Sequence, residues 1–175
     1  MTSESSMESD QAPFISPSGP VRGPDSYQFP TAVEKLLPWS HAEGQLQEAQ
    51  YYWIATTRPN GHPHVTPLWG VWIDGAFYFD GVPETRWAQN LAENPAMALH
   101  LERGDDVVIV EGNVDKLAPV TNSDLAARIV AEWDRKYGRL HPDPAGEGLF
   151  RLRPRTVRAW STPLLTDSTS WTFRW

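Results

Sequence analysis

The sequence contains no cysteine. Disulfide bridges, thiolate-bound zinc, iron–sulfur clusters and cysteine nucleophiles are therefore excluded. No apolar run approaches the roughly 20 residues that cross a bilayer as a helix, so we expect no membrane partner. The N-terminal residues are acidic and polar, whereas a secretory signal has a basic start and an apolar stretch. We therefore expect a cytoplasmic protein.

Positive charge is scarce as well. The chain has 15 Lys and Arg against 22 Asp and Glu, for a net charge of −7. Nucleic-acid-binding proteins usually present a basic face, so we expect no nucleic-acid partner. The sequence also has no GxGxxG, P-loop, HExxH or GxSxG motif. The common signatures of dinucleotide, nucleotide, zinc-protease and serine-hydrolase sites are therefore missing.

Tryptophan, by contrast, is abundant, with nine residues in a chain of 175. Its large apolar face and single N–H donor suit cores, dimer interfaces and cofactor pockets. The length and the 40% hydrophobic content fit one domain with a sizeable core. Residues 1–30 are rich in Ser, Pro, Gly and Asp, which predicts a disordered or loosely ordered tail before a domain at 31–175.

Aromatic and β-branched runs separated by turn residues predict an antiparallel meander. The predicted strands are Tyr51–Thr57, His62–Ile73, Ala76–Asp80, Ala96–Glu102, Val107–Leu117, Leu149–Arg153, Thr156–Ser161 and Ser170–Trp175. Turns at Asn60-Gly61 and Asp74-Gly75 indicate hairpins. Pro63 and Pro67 each remove a ladder donor, which predicts an edge or a bulge. Gly112 predicts a bulge or a close backbone approach.

Four helices are predicted around these strands. They are Thr31–Leu37, a helix from a Ser40 N-cap with Glu43 in a capping box to about Gln50, Glu84–Glu93, and Ser123–Tyr137 with Gly138 as its stop. The chain lacks the alternating βαβ pattern of a parallel sheet. The sequence therefore predicts a mainly β fold, an antiparallel barrel with helices packed outside it.

Two segments are candidate binding sites. Thr85 and Arg86 open a helix directly after a strand, where free N–H groups, a hydroxyl and a guanidinium could hold a phosphate; an exposed first turn is the alternative. In Thr66, Pro67, Leu68 and Trp69 the prolines leave backbone groups unpaired, which could face a flat heterocycle; a bulged edge strand is the alternative. His62 and His64 lack a third ligand, so we expect no metal site.

The order and spacing of these features resemble the pyridoxamine 5′-phosphate oxidase-like, FMN-binding split-barrel superfamily. Within it, the chain is most similar to the actinobacterial flavin/deazaflavin (coenzyme F-420)-dependent oxidoreductases, over about residues 45–175. The segments that carry the resemblance are Thr57–Trp69, Trp72–Gly75, Phe77–Phe79, Thr85-Arg86, Asn90-Leu91, Asn94-Pro95, His100–Glu102, Gly104–Val108 and Glu111-Gly112.

The resemblance implies a six-stranded antiparallel split β-barrel that forms a homodimer, with coenzyme F-420, or alternatively FMN, in grooves at the interface. The cofactor-binding residues it implies are Thr66, Pro67, Leu68 and Trp69 along the ring, Thr85 and Arg86 at the phosphate, and Trp87, Asn90 and Trp171. Trp87 and Ser170 stand where relatives often have Lys and Arg, so this chain has lost positive charge there.

Three functions remain open from the sequence. The first is a reductase that transfers hydride from F-420 to a conjugated small molecule, and the second is an FMN enzyme of the pyridoxamine-phosphate-oxidase type. The third is a protein that binds a flavin, haem or other flat ligand without turnover. Retention of Arg86 alone favours F-420, because the dianionic phosphate of FMN requires several basic partners. No catalytic side chain is assigned, since the hydride chemistry belongs to the cofactor.

Overall fold

The computed structural model describes residues 12–21, 36–119, 124–138, 142–146, 148–161 and 165–175. These residues form a mainly β structure with three helices. The strands are β1 (Phe14–Gly19), β2 (Tyr52–Thr57), β3 (Pro63–Leu68), β4 (Val71–Ile73), β5 (Ala76–Asp80), β6 (Ala96–His100), β7 (Val107–Lys116), β8 (Leu149–Trp160) and β9 (Thr169–Arg174), and the helices are α1 (Trp39–Glu48), α2 (Arg86–Glu93) and α3 (Asp124–Tyr137).

All strand pairs are antiparallel, and the described strands follow the order β1-β9-β8-β7-β6-β2-β3, with β4 and β5 branching from β8. The branch arises because β8 is long: its first half pairs with β5 and its second half with β9, while β7 runs along the other side. The expected six-stranded barrel is therefore corrected. In the described residues the sheet has nine strands and does not close.

A bulge allows β8 to continue where two separate strands were predicted. Gly112 of β7 lies opposite Pro154, and the register shifts between Glu111 and Gly112. A Cβ atom on Gly112 would lie 2.1 Å from the carbonyl oxygen of Arg153. The predicted close approach at Gly112 is confirmed, but the predicted break at Pro154 is wrong, because the bulge accommodates the residue that cannot donate to the ladder.

The predicted strand His62–Ile73 is likewise divided. It is interrupted at Trp69-Gly70 between β3 and β4, where a Cβ on Gly70 would collide with the Phe77 ring at 2.3 Å. β3 ends the strand order, so the predicted edge is confirmed. The helix predicted at Thr31–Leu37 lies mostly outside the described residues.

The N-terminal segment and α1 both differ from expectation. Part of the segment predicted as a loosely ordered tail forms β1, which pairs with β9 from Phe14 opposite Arg174 onwards. The N-cap of helix α1 lies two residues earlier than predicted. Pro38 occupies its N-cap without a side-chain hydrogen bond, so the capping box of Ser40 and Glu43 does not form. Proline is suited to a helix start because its missing N–H would be unpaired there in any case.

The core fills the space between the sheet and the helices. One buried cluster contains Tyr52, Phe77, Trp87 and Trp171, and a smaller one joins β4 to α3 through Val71 and Trp133. Helix α2 packs on β2, and α3 on β4. No helix in the described part of the chain is long and apolar enough to cross a membrane.

Candidate functional site

Edge strand β3 presents two different faces. Thr56, Ile54 and Tyr52 of β2 lie opposite His64, Thr66 and Leu68, and side chains at directly opposed positions project from the same face. Their β2 partners are buried, so this face of β3 points inward. Pro67 and Val65 face outward and are exposed. The predicted ring-lining residues are therefore divided between the two faces.

The far end of β3 is aromatic. Trp69 is 39% exposed, and its ring stacks on Tyr137 of α3 with centroids 5.0 Å apart and planes inclined by 8°. Leu68 is half-buried against the core next to it. Trp69 is thus a partly exposed, flat, apolar surface with a fixed orientation.

The opposite end of the strand is cationic. Thr85 is the N-cap of α2, and its hydroxyl oxygen accepts a hydrogen bond from the Ala88 amide at 3.4 Å. Arg86 is exposed at the first position of the helix. Burial lowers the pKa of His64, and the positive charges of Arg58 and Arg86 lower it further. The fields of both guanidinium groups therefore reach the inner face of β3.

Arg58 and His64 were not recognised from the sequence as parts of an anion site. The available signal was their position at the two sides of the Asn60-Gly61 turn, with Arg58 before it and His64 in the following strand. Only the packing of α2 against the hairpin brings Arg86 to them. Because a helix N-terminus also favours negative charge, the combination is suited to a phosphate or another anion.

Buried polar atoms lie between the hairpin and α2. Asn90 is fully buried, and its Nδ2 donates to the hydroxyl oxygen of Thr56 at 2.9 Å. Its Oδ1 and the Nδ1 of His64 are buried without a hydrogen-bond partner among the described residues. Buried polar atoms in native proteins are almost always paired. Their unmet hydrogen-bonding capacity therefore fits a site that receives a polar ligand or water.

Two predicted site residues, Trp87 and Trp171, are buried in the core. Trp87 is 5% exposed and packs against Phe79 and Phe150. Trp171 is 2% exposed and contacts Trp39 edge-on at 5.4 Å. Of the other predicted residues, Arg86 lies near His64 of β3, and Asn90 hydrogen-bonds to Thr56 of β2.

The cationic end of β3 and the Trp69 ring are well separated. From His64 to Trp69 the chain advances five residues, about 16 Å at the usual rise of a strand. An elongated ligand with an anionic end and a flat end matches this arrangement. No group of three metal-ligating side chains occurs within the described ranges.

The comparison with known families bears on the same segments. Residues 39–161 match the model of the pyridoxamine 5′-phosphate oxidase family. The chain belongs to this family. The resemblance read from the sequence is therefore confirmed. The match includes β3 and α2, whereas β1, β9 and Trp171 lie outside it.

Several solved structures share the fold of this oxidase-family chain. An F-420 reductase is 27% identical, with a TM-score of 0.53, covering 66% of this chain and 94% of its own. A FAD-binding protein from Mesorhizobium loti is 18% identical, with a TM-score of 0.57, covering 78% and 96% respectively. The haem storage protein from Vibrio cholerae is 20% identical, with a TM-score of 0.53, covering 69% and 90%. No curated protein matches the chain.

Proposed function

We propose that this protein is an oxidoreductase that binds coenzyme F-420 and transfers hydride between it and a conjugated small molecule. The observation that supports this most is the arrangement of side chains along β3, with the cationic groups near His64 at one end and the Trp69 surface at the other. A flat tricyclic ring and a phosphate linked by a polyol chain have this polarity and about this length. The similarity to an F-420 reductase favours the deazaflavin.

The chain's own residues bind and orient in this proposal. Arg86, Thr85 and the N-terminus of α2 would hold the phosphate, with Arg58 and His64 beside it. The segment Thr66–Trp69 would lie along the ring. The bound cofactor would supply the hydride chemistry. The unpaired Nδ1 of His64 and Oδ1 of Asn90 fit a cofactor with polar substituents, since a bound donor or acceptor would satisfy them.

FMN is the second candidate, and one structural feature favours it. Arg58 lies close enough to His64 to lower its pKa together with Arg86, so two guanidinium groups lie near this end of β3 although Trp87 stands where relatives often have a basic residue. The dianionic monoester of FMN requires more positive charge than the phosphodiester of F-420. The number of arginines that contribute to affinity therefore distinguishes the two cofactors.

The proposal includes a homodimer that uses the outward face of the sheet. Val65 is 52% exposed there, and Trp53, Ala55, Ala98 and Ile109 are half-buried around it. A groove of about 490 Å³ runs along the same face past Ala55, Ala98, Asn113 and Arg155. A second copy on this face would cover the apolar side chains and border β3.

Titration of the purified protein with F-420 and, separately, with FMN tests the proposed cofactor. In Arg86→Ala we expect the Kd for F-420 to rise about tenfold or more, because a charge-assisted hydrogen bond is lost. Arg103→Ala is the matched control, since Arg103 pairs with Asp105 in the turn after β6. The Kd of this variant for F-420 should equal that of the wild-type protein.

The outcomes separate the candidate functions. Tighter FMN binding that depends equally on Arg58 and Arg86 would assign the protein to the flavin enzymes. Binding without turnover of any conjugated acceptor would indicate a carrier of flat ligands. No binding of either cofactor would refute the proposed activity, and haem would be the next ligand to titrate.

A further inference from the structure

Lys136 of α3 is a buried cation whose role is not explained by the proposed cofactor contacts. The residue is 9% exposed. Its Nζ donates to the hydroxyl oxygen of Tyr52 at 2.6 Å and to the carbonyl oxygen of Gly70 at 3.1 Å. It also lies 4.7 Å from the centre of the Tyr52 ring and 5.5 Å from that of Tyr137. Lysine is almost never buried without such partners.

Tyr137, the next residue in the helix, binds the same glycine. The Gly70 amide donates to the Tyr137 hydroxyl at 3.1 Å, and that hydroxyl lies 2.9 Å from the Gly70 carbonyl oxygen. Both backbone groups of Gly70 are therefore bound by side chains of α3 at the point where β3 ends and β4 begins. Tyr137 and Lys136 thus take the place of a strand partner here.

Both the backbone and the ring of Trp69 are positioned by this arrangement. Trp69 precedes Gly70 in the chain, so the position of Gly70 determines where the Cα of Trp69 lies. Its ring also stacks on the ring of Tyr137 at 5.0 Å. The orientation of the exposed indole is therefore set by α3 and not by the pairing of β3 alone.

Charged and titratable groups surround Lys136 from three elements. Tyr52 faces it from β2, Tyr137 and the ion-paired Glu132 and Arg135 lie on α3 itself, and Glu48 faces it from the end of α1. Burial outweighs the attraction of the two carboxylates and lowers the pKa of Lys136 to about 8. The amine therefore changes charge within a pH range in which the protein can be studied.

We propose that Lys136 and Tyr137 are positioning residues that hold Trp69 against the flat part of the ligand through Gly70, and that this hold weakens when Lys136 loses its proton. The physical reason is that a charged donor forms a stronger hydrogen bond to a carbonyl oxygen than a neutral one. The part concerning the ligand rests on the proposed function. The part concerning Trp69 holds for the protein without ligand.

The first test follows Trp69 directly in the ligand-free protein. Protein labelled with 5-fluorotryptophan gives one fluorine resonance for each indole, and Trp69→Phe identifies the one that belongs to Trp69. We expect this resonance to shift between pH 6.5 and 9.5 with a midpoint near the pKa of Lys136, about 8. In Lys136→Met it should be displaced at all pH values and should no longer titrate.

Tyr137→Phe is the second variant, since it keeps the stacked ring and removes the hydroxyl that binds Gly70. It should displace the Trp69 resonance and leave the titration in place. Trp175 is the control indole, and its N–H donates to the Pro154 carbonyl oxygen. Its resonance should not respond to either variant. The proposal would be overturned by a Trp69 resonance whose chemical shift does not change with pH, or by one that is the same in Lys136→Met as in the wild-type protein.

The second test measures the Kd of F-420 over the same pH range. We expect the affinity for F-420 to fall about threefold to tenfold as Lys136 is deprotonated. In Lys136→Met the affinity should be weak and should not change over this pH range. A Trp69 resonance that titrates while affinity stays constant would refute the role in binding. If neither F-420 nor FMN binds the wild-type protein, the proposed function fails, and the fluorine titration still decides whether Lys136 positions Trp69.

Discussion

Replacement of Lys136 by methionine should stabilise the protein near neutral pH. Burial lowers the pKa of Lys136 from 10.5 to about 8. The protonated amine is therefore less stable in the folded protein than in the unfolded chain. At about 1.36 kcal/mol per pKa unit, the charged form destabilises the fold by about 3 kcal/mol at pH 7. Methionine has a similar length and carries no charge.

Part of this gain is lost with the hydrogen bonds of Nζ. Each contributes about 1 kcal/mol net. Neither partner is left unpaired, because Tyr52 still donates to the carbonyl oxygen of Leu46 and the Gly70 oxygen remains bonded to Tyr137. We therefore expect Lys136→Met to raise the free energy of unfolding by about 1–2 kcal/mol at pH 7, or Tm by roughly 2–8 °C.

The pH dependence has a definite sign. Between the folded pKa of about 8 and the unfolded value of 10.5, the unfolded chain binds more protons than the folded one, so stability rises with pH. Urea unfolding of the wild-type protein should show a contribution from Lys136 of about 2 kcal/mol between pH 7 and 9.5, and Lys136→Met should lack it. Equal pH profiles, or a variant less stable than wild type at pH 7, would refute the reasoning.

Three further changes test the fold and the assembly. Gly112→Ala should lower Tm by about 6 °C or more, because the new Cβ meets the Arg153 carbonyl and such a clash costs about 3 kcal/mol. Gly104→Ala is the control, since a Cβ there has no atom within 4 Å. Equal melting temperatures for the two variants would contradict the close approach at the bulge. Thr85→Ala should lose about 1 kcal/mol of stability through the missing cap, and Thr85→Ser should restore it; an equally unstable Ser variant would exclude capping as the cause. Val65→Glu should convert the expected dimer to a monomer in light scattering, whereas the exposed Phe14→Glu should not, and an unchanged mass for Val65→Glu would place the interface elsewhere.

Features that depend on a few neighbouring residues were predictable from the sequence. Asp74 and Gly75 form the expected turn with φ of 50° and 77°, because short polar residues and glycine adopt the left-handed region that such hairpins require. Gly138 ends α3 with φ of 74° for the same reason. The helix predicted over Glu84–Glu93 is α2, which spans Arg86–Glu93 with Thr85 as its N-cap. The family could also be recognised, since the order of these local features is carried by the sequence.

The proposed site was only half accessible from the sequence. Thr85 and Arg86 were proposed because a helix start after a strand is a local pattern. Arg58 and His64 were missed, since their relation to Arg86 depends on how α2 packs on the hairpin. Trp87 and Trp171 were expected near the cofactor from the resemblance, and that role stays a prediction. Their burial was not predictable, because an indole suits a core and a pocket equally well.

The sequence by itself determined where the hairpin turns and the end of α3 would form, because these depend on φ preferences and hydrogen bonds within a few residues. Only the tertiary structure decided which distant groups meet. β1 found its partner in β9 at the other end of the chain, and Pro154 was tolerated within β8 because Gly112 lies opposite. Gly70 is bound by Lys136, 66 residues later. Such pairings are selected by burial and shape over the whole fold, which local preferences do not encode.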